Sequence, residues 1–88
     1  MRKVVSVVEV DGEGLEALLG KEIMVWCANY IYSGVLAGVN EKDIMLEKAH
    51  VVYETGVLQE EGFQDSQPLP GDAWYLRMDF IESYGPLA

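Results

Sequence analysis

Few residues of this sequence are of types that do chemistry. Cys27 and His50 are the only cysteine and the only histidine, and together they form the one pair with the makings of a nucleophile and its base. Cys27 sits in an apolar stretch, Met24-Val25-Trp26-Cys27, where a free cysteine usually packs as a small hydrophobe. His50 adjoins Val51 and reads as a surface or satisfied histidine, so catalysis is not expected. Glu9, Asp11, Glu13 and Glu16 cluster in sequence, but their spacing is not that of a calcium loop and no metal or other cofactor is expected. Two aromatic groups remain. Asn29, Tyr30 and Tyr32 suit a recognition patch or a hydrogen-bonded core position. Trp74, Tyr75 and Phe80 suit a subunit interface or a core, with Met78 and Ile81 beside them as further interface candidates.

The elements that must hold these residues are mostly strands. Residues 4–10 are valine-rich and read as a strand, followed by an Asp11-Gly12 turn. Residues 13–19 read as a short helix, with Leu15, Leu18 and Leu19 on one stripe, acidic residues in the first turn and Gly20 as a left-handed cap. Residues 23–28 are apolar on both faces, which predicts a strand covered on both sides. Asn29-Tyr30 makes a turn into a strand over residues 31–39, where Gly34 and Gly38 imply a bend or a close backbone approach. After a turn at residues 40–42, residues 43–53 form a third strand. Its apolar parity switches from Ile44 and Leu46 to Ala49, Val51 and Tyr53, which predicts a bulge near Lys48-Ala49. Residues 54–72 hold several Gly, Pro, Glu and Gln, including Glu60-Glu61, and read as a long projecting loop. Strands over residues 74–79 and 80–84 complete the chain before Gly85-Pro86.

Composition bounds the rest. The chain has 88 residues, 50% of them hydrophobic, and a net charge of -9. One domain over residues 1–88 is expected, and so small a domain cannot hide that much apolar surface by itself. A homo-oligomer larger than a dimer follows as an expectation. The negative charge opposes a non-specific grip on nucleic acid or on anionic membrane. No run is long enough to span a bilayer, and the basic start at Arg2-Lys3 is interrupted by Glu9 and Asp11 before a signal-peptide core forms. A soluble cytoplasmic protein without membrane partners is expected.

A short helix followed by five short, bent strands resembles the element order of the Sm and Sm-like proteins. Leu19-Gly20-Lys21-Glu22-Ile23 is similar to the opening of the first Sm motif, and Tyr32-Ser33-Gly34-Val35-Leu36 to its bent strand. Gly38-Val39-Asn40 resembles its turn, and Asp43-Ile44-Met45-Leu46 its end. The resemblance covers about half of the chain. The second motif is weaker, because Met78-Asp79-Phe80-Ile81-Glu82-Ser83 lacks the basic residues found there. Cys27-Ala28-Asn29-Tyr30, Val52-Tyr53-Glu54-Thr55-Gly56 and Ile81-Glu82-Ser83 look like a group of small uncharacterised Sm-like proteins of bacteriophage and prophage origin.

The resemblance implies a mostly β fold: a small, five-stranded, strongly bent antiparallel Sm-like barrel with a short N-terminal helix. It also implies pairing of the fourth strand with the fifth strand of the next subunit, closing a ring. Where Sm-like rings hold RNA, the resemblance points here to Tyr32, Asn40, Asp43 and Arg77. Asn40 stands at the usual aspartate and Asp43 at the usual asparagine, and an aspartate there repels phosphate, so these positions also suit simple turn closure. The expected function is a non-enzymatic, ring-forming structural or adaptor protein that engages a protein partner through its face or long loop. The alternative is an RNA-binding ring of altered specificity.

Overall fold

The structure is a computed structural model that describes residues 12–58 and 62–87. The strand expected over residues 4–10 lies outside the described residues, as do Glu9, Asp11 and Glu60-Glu61.

Six strands form one antiparallel sheet. They are β1 (Glu22–Cys27), β2 (Ile31–Val39), β3 (Asp43–Glu54), β4 (Asp65–Pro68), β5 (Trp74–Arg77) and β6 (Ile81–Pro86). The order is β4-β3-β2-β1-β6, and β5 also pairs with β3. The fold is therefore mostly β and strongly bent, with six strands rather than five. The extra strand arises because β4 and β5 are two pieces of one antiparallel partner to β3. Residues 50–54 of β3 pair with β4, while residues 43–46 pair with β5.

The bend that separates these two pairings lies where the parity of β3 switches. Lys48 has φ 52, the one positive value among described non-glycine residues. Opposite it, β2 shifts register, so that Gly34 alone faces Lys48 and Ala49. This is a β-bulge, which increases local twist and turns the strand. Ile44, Leu46, Ala49 and Val51 are all buried as a result, although Tyr53 turns outward and is 55% exposed. Gly34 is required at this point. A Cβ built there would lie 2.9 Å from the Glu47 carbonyl oxygen and 3.2 Å from both Ala49 Cα and Leu46 Cβ.

The core gathers Ile23 and Val25 of β1, Leu36 of β2, Ile44, Leu46 and Ala49 of β3, and Leu76 of β5. Alternation along each strand sends these residues to one side, as a half-buried sheet requires. The other face of β1 is less covered than its sequence suggests: Met24 is half-buried and Trp26 is 37% exposed.

Three further expectations need correction. The helix over residues 13–19 is only a 3-10 turn, Leu15–Leu18. Gly14 at φ 80 and Gly20 at φ 84 break the helical path on both sides, leaving too few residues for α-helical hydrogen bonding. Leu15 and Leu18 pack on the core, but Leu19 is exposed. The loop over residues 54–72 does not project throughout. β4 adds to the edge of β3, Leu69 packs against the core, and the Leu69 N–H bonds the Ala49 carbonyl at 2.8 Å. Pro68 is tolerated because β4 is an edge strand. Finally, the strand expected over residues 74–79 ends at Arg77. Met78–Phe80 forms a 3-10 turn, and the last strand starts at Ile81 rather than Phe80.

Substitution of Gly34 by valine is expected to destabilise the fold by about 2 kcal/mol, since a branched side chain must displace the β3 backbone. In a domain of this size that lowers Tm by roughly 8–16 °C. Calorimetry of Gly34→Val checks this, and an unchanged Tm would remove the close approach from the account.

Candidate functional site

The two aromatic groups of the sequence meet in one cleft of about 300 Å³. Cys27 at the end of β1, Asn29 and Tyr30 in the turn, and Tyr32 at the start of β2 form one wall. Trp74, Tyr75, Leu76 and Arg77 of β5 line the cleft as well, together with Phe80. The main chain clamps this arrangement. The Cys27 N–H bonds the Tyr30 carbonyl at 2.9 Å, tightening the turn, and the Ala28 N–H bonds the Phe80 carbonyl at 2.9 Å. Tyr30 and Tyr32 stack edge to face with centroids 6.4 Å apart.

Electrostatics in the cleft are governed by burial and one local ion pair. Arg77 Nη2 lies 3.2 Å from Asp79 Oδ2, and the guanidinium carbon sits 5.5 Å from the Phe80 ring centroid. Burial pushes the Cys27 thiol up, and the carboxylate of Glu82 adds to the shift. Burial also raises Tyr32, followed by the neighbouring Cys27, Tyr30 and Tyr53. A raised thiol is the opposite of what an activated nucleophile needs. His50 does not line the cleft, and its Nδ1 sits 3.2 Å from the carbonyl oxygen of its neighbour Lys48. The Cys27–His50 pair is not assembled into one site.

Of the four residues that the resemblance singles out for RNA, Tyr32 and Arg77 reach the cleft. Asp43 pairs with Arg77 in the β3–β5 ladder but does not line the cleft. Asn40 closes the β2–β3 turn: its Oδ1 accepts the Lys42 N–H at 2.9 Å and the Asp43 N–H at 3.0 Å. The Met78 N–H bonds the Lys42 carbonyl at 2.8 Å, so this turn and the β5–β6 connection are held together. Among the interface candidates, Tyr75 is 60% and Phe80 49% exposed. Trp74, Met78 and Ile81 pack partly against the core. The sequence contained both halves of the cleft, but nothing in it joined them. Only the β3–β5 register and the Ala28–Phe80 bond do that.

Among the described residues, no three of His, Cys, Asp and Glu gather as metal ligands, and no helix is long and apolar enough to cross a membrane. No family model matches the sequence, and no characterised relative matches it. The backbone does match a solved structure, a heptameric archaeal Sm protein, with a TM-score of 0.60. The fold is Sm-like. The match covers 81% of this chain and 91% of that one at 15% sequence identity, so it rests on backbone shape and not on shared side chains. In the Sm-like frame, β4 and β5 occupy one edge of the bent sheet and β6 the other. The aromatic cleft lies beside the β5 edge.

The raised Cys27 pKa gives a measurable consequence. An acid whose folded pKa lies above its unfolded value stabilises the fold below the unfolded pKa and loses that contribution as pH rises toward the folded one. Alkylation of Cys27 by iodoacetamide should therefore inflect at higher pH in the native protein than in the same protein unfolded in denaturant. Cys27→Ser should lose less stability on the alkaline side than the parent. An inflection at or below the unfolded value would contradict the burial described here.

Proposed function

We propose that this chain is a non-enzymatic Sm-like protein of bacteriophage type, a single domain that builds a homo-oligomeric ring and serves as a structural or adaptor piece in the cytoplasm. The observation that carries this reading is the pair of open sheet edges. Among the described residues, β5 pairs only with β3 and β6 only with β1, which leaves one side of each strand without a paired strand there. Exposed edges are tolerated when another strand covers them. A heterologous contact between two different edges propagates from copy to copy and closes when the rotation allows it. The apolar surface supports the same reading, with Trp26, Tyr30, Tyr75, Phe80 and Tyr84 all exposed in a single copy. The heptameric state belongs to the solved archaeal Sm protein. It lends support to a ring here without fixing its size.

A second reading, an RNA-binding ring, is favoured by the cleft itself. Aromatic walls with Asn29 and Arg77 suit base stacking. Against it stands the net charge of -9, multiplied in any assembly. The adaptor reading is preferred on that balance, with a protein partner engaged through the ring face or the β3–β4 connection.

Light scattering after size exclusion is expected to give a mass well above a dimer at micromolar concentration, and a monomer would overturn the ring reading. In mobility-shift titrations with homopolymer RNAs near 150 mM salt, a common physiological condition, binding is expected to be weaker than about micromolar. Submicromolar binding would move the assignment to the RNA-binding alternative.

A further inference from the structure

Two properties of the aromatic cleft go beyond apolar area. First, its rings are exposed yet held in place. Tyr30 is 54% and Tyr75 60% exposed, while the Cys27–Tyr30 and Ala28–Phe80 main-chain bonds, both 2.9 Å, fix the turn and the Phe80 segment. Second, its polar tips are unspent. Among the described residues, the hydroxyls of Tyr30, Tyr32 and Tyr75, the Trp74 indole N–H and the Asn29 amide make no hydrogen bond. A cleft of about 300 Å³ thus joins flat apolar faces to free hydrogen-bond donors. Its surroundings are acidic. Asp79 lies 3.2 Å from Arg77, Asp43 stands opposite Arg77 in the β3–β5 register, and the Glu82 carboxylate is near enough to raise the Cys27 thiol. These carboxylates outweigh Arg77, the one cation lining the cleft, in a chain of net charge -9.

We infer that this cleft docks a proline-rich segment of a partner protein in the polyproline II conformation, with a lysine or arginine of that segment beside the carboxylates. The inference rests on the adaptor reading above and names the chemistry of the partner. A polyproline II segment has no internal hydrogen bonds, so its carbonyls are free to accept from tyrosine, indole and amide donors. Its prolines lay apolar rings on aromatic faces and bring no N–H that the cleft must satisfy. Its backbone is stiff before docking, so little conformational entropy is lost on binding. A helix would leave the donors of the cleft unused, because its carbonyls are spent on its own turns. A nucleic-acid strand would bring phosphates among Asp43, Asp79 and Glu82, where like charges repel. A basic flank on the partner meets the same carboxylates favourably. Every residue lining the cleft comes from one chain, so the site is complete in each copy.

The test uses the full chain in its assembled state and a fluorescent oligoproline peptide with an arginine at each end, read by polarisation. Binding is expected to saturate and to be about tenfold tighter than for the same peptide with alanine in place of proline. Tyr75→Ala and Tyr30→Ala remove exposed rings outside the core, and each should weaken binding about tenfold. Leu58→Ala removes a 63% exposed side chain that does not line the cleft, and should leave binding unchanged. A glutamate-ended peptide should bind more weakly than the arginine-ended one, and the gap should narrow as salt rises. Light scattering checks that each variant keeps the mass of the parent. Where an alanine variant loses assembly, Tyr75→Phe and Tyr30→Phe replace it; these keep the rings, remove the hydroxyl donors and should weaken binding roughly threefold. No binding to the assembled parent, equal binding of the alanine peptide, unchanged binding in both tyrosine variants, or equal binding of the glutamate-ended peptide would overturn the inference and leave the adaptor reading standing. Submicromolar binding of homopolymer RNA that is lost in Tyr75→Ala would overturn the adaptor reading itself.

Discussion

A single bend in one strand organises this fold. β3 is the longest strand, and it would run past the core if it stayed straight. At Lys48 the backbone enters the left-handed region, an excursion that costs roughly 1–2 kcal/mol for a residue with a Cβ. It is held there because Gly34 on β2 lets the β3 backbone come within contact distance. The two halves of β3 then face different partners. One half pairs with β5 and sends Ile44 and Leu46 inward, while the other pairs with β4 and sends Ala49 and Val51 inward. Without the bulge, one of the two apolar sets would point to solvent, because a one-residue slip reverses every side chain along a strand.

The same bend creates the edges. Since β3 is paired on its outer side by two short pieces, the sheet ends in β4 and β5 rather than in one long flat strand. At the other end, β6 bonds to β1 and continues to the Leu87 N–H, which reaches the Glu22 carbonyl at 3.0 Å. β5 and β6 do not bond to each other, so the described chain stops short of closing on itself. A domain with this core leaves several aromatic rings in water. Tyr75 on β5, Tyr84 on β6, Phe80 between them and Tyr30 in the β1–β2 turn are among these rings, which links backbone topology to association.

The cleft shows how local chemistry is altered by that topology. A thiol in a short apolar strand is ordinarily inert, and here burial beside the Glu82 carboxylate reinforces its protonated form. Arg77 makes a surface contact with Asp79 and lies over the ring of Phe80, and stays largely exposed. Asn40, which resembles a ligand-binding position in motif terms, spends its amide oxygen on two backbone N–H groups of its own turn. Cys27 and Asn40 keep their chemical type but lose availability to their neighbours.

Much of the fold was legible in the sequence because strand periodicity and glycine placement are local signals. The first three strands, the turn at Asn40, the close approach at Gly34 and the bulge at Lys48-Ala49 all follow from residue alternation and its interruption. The leucine stripe over residues 13–19 suits a helix, but Gly14 carries the positive φ that ends helical geometry, and this cause is local too. What only the tertiary structure decided depends on partners distant in sequence. Residues 65–68 have no apolar alternation and become a strand only because β3 offers an edge for them to pair with. Leu69 finds the core for the same reason. The union of Asn29, Tyr30 and Tyr32 with Trp74, Tyr75 and Phe80 in one cleft, and the separation of Cys27 from His50, follow from strand register. Register is a relation between segments, and no single segment encodes it.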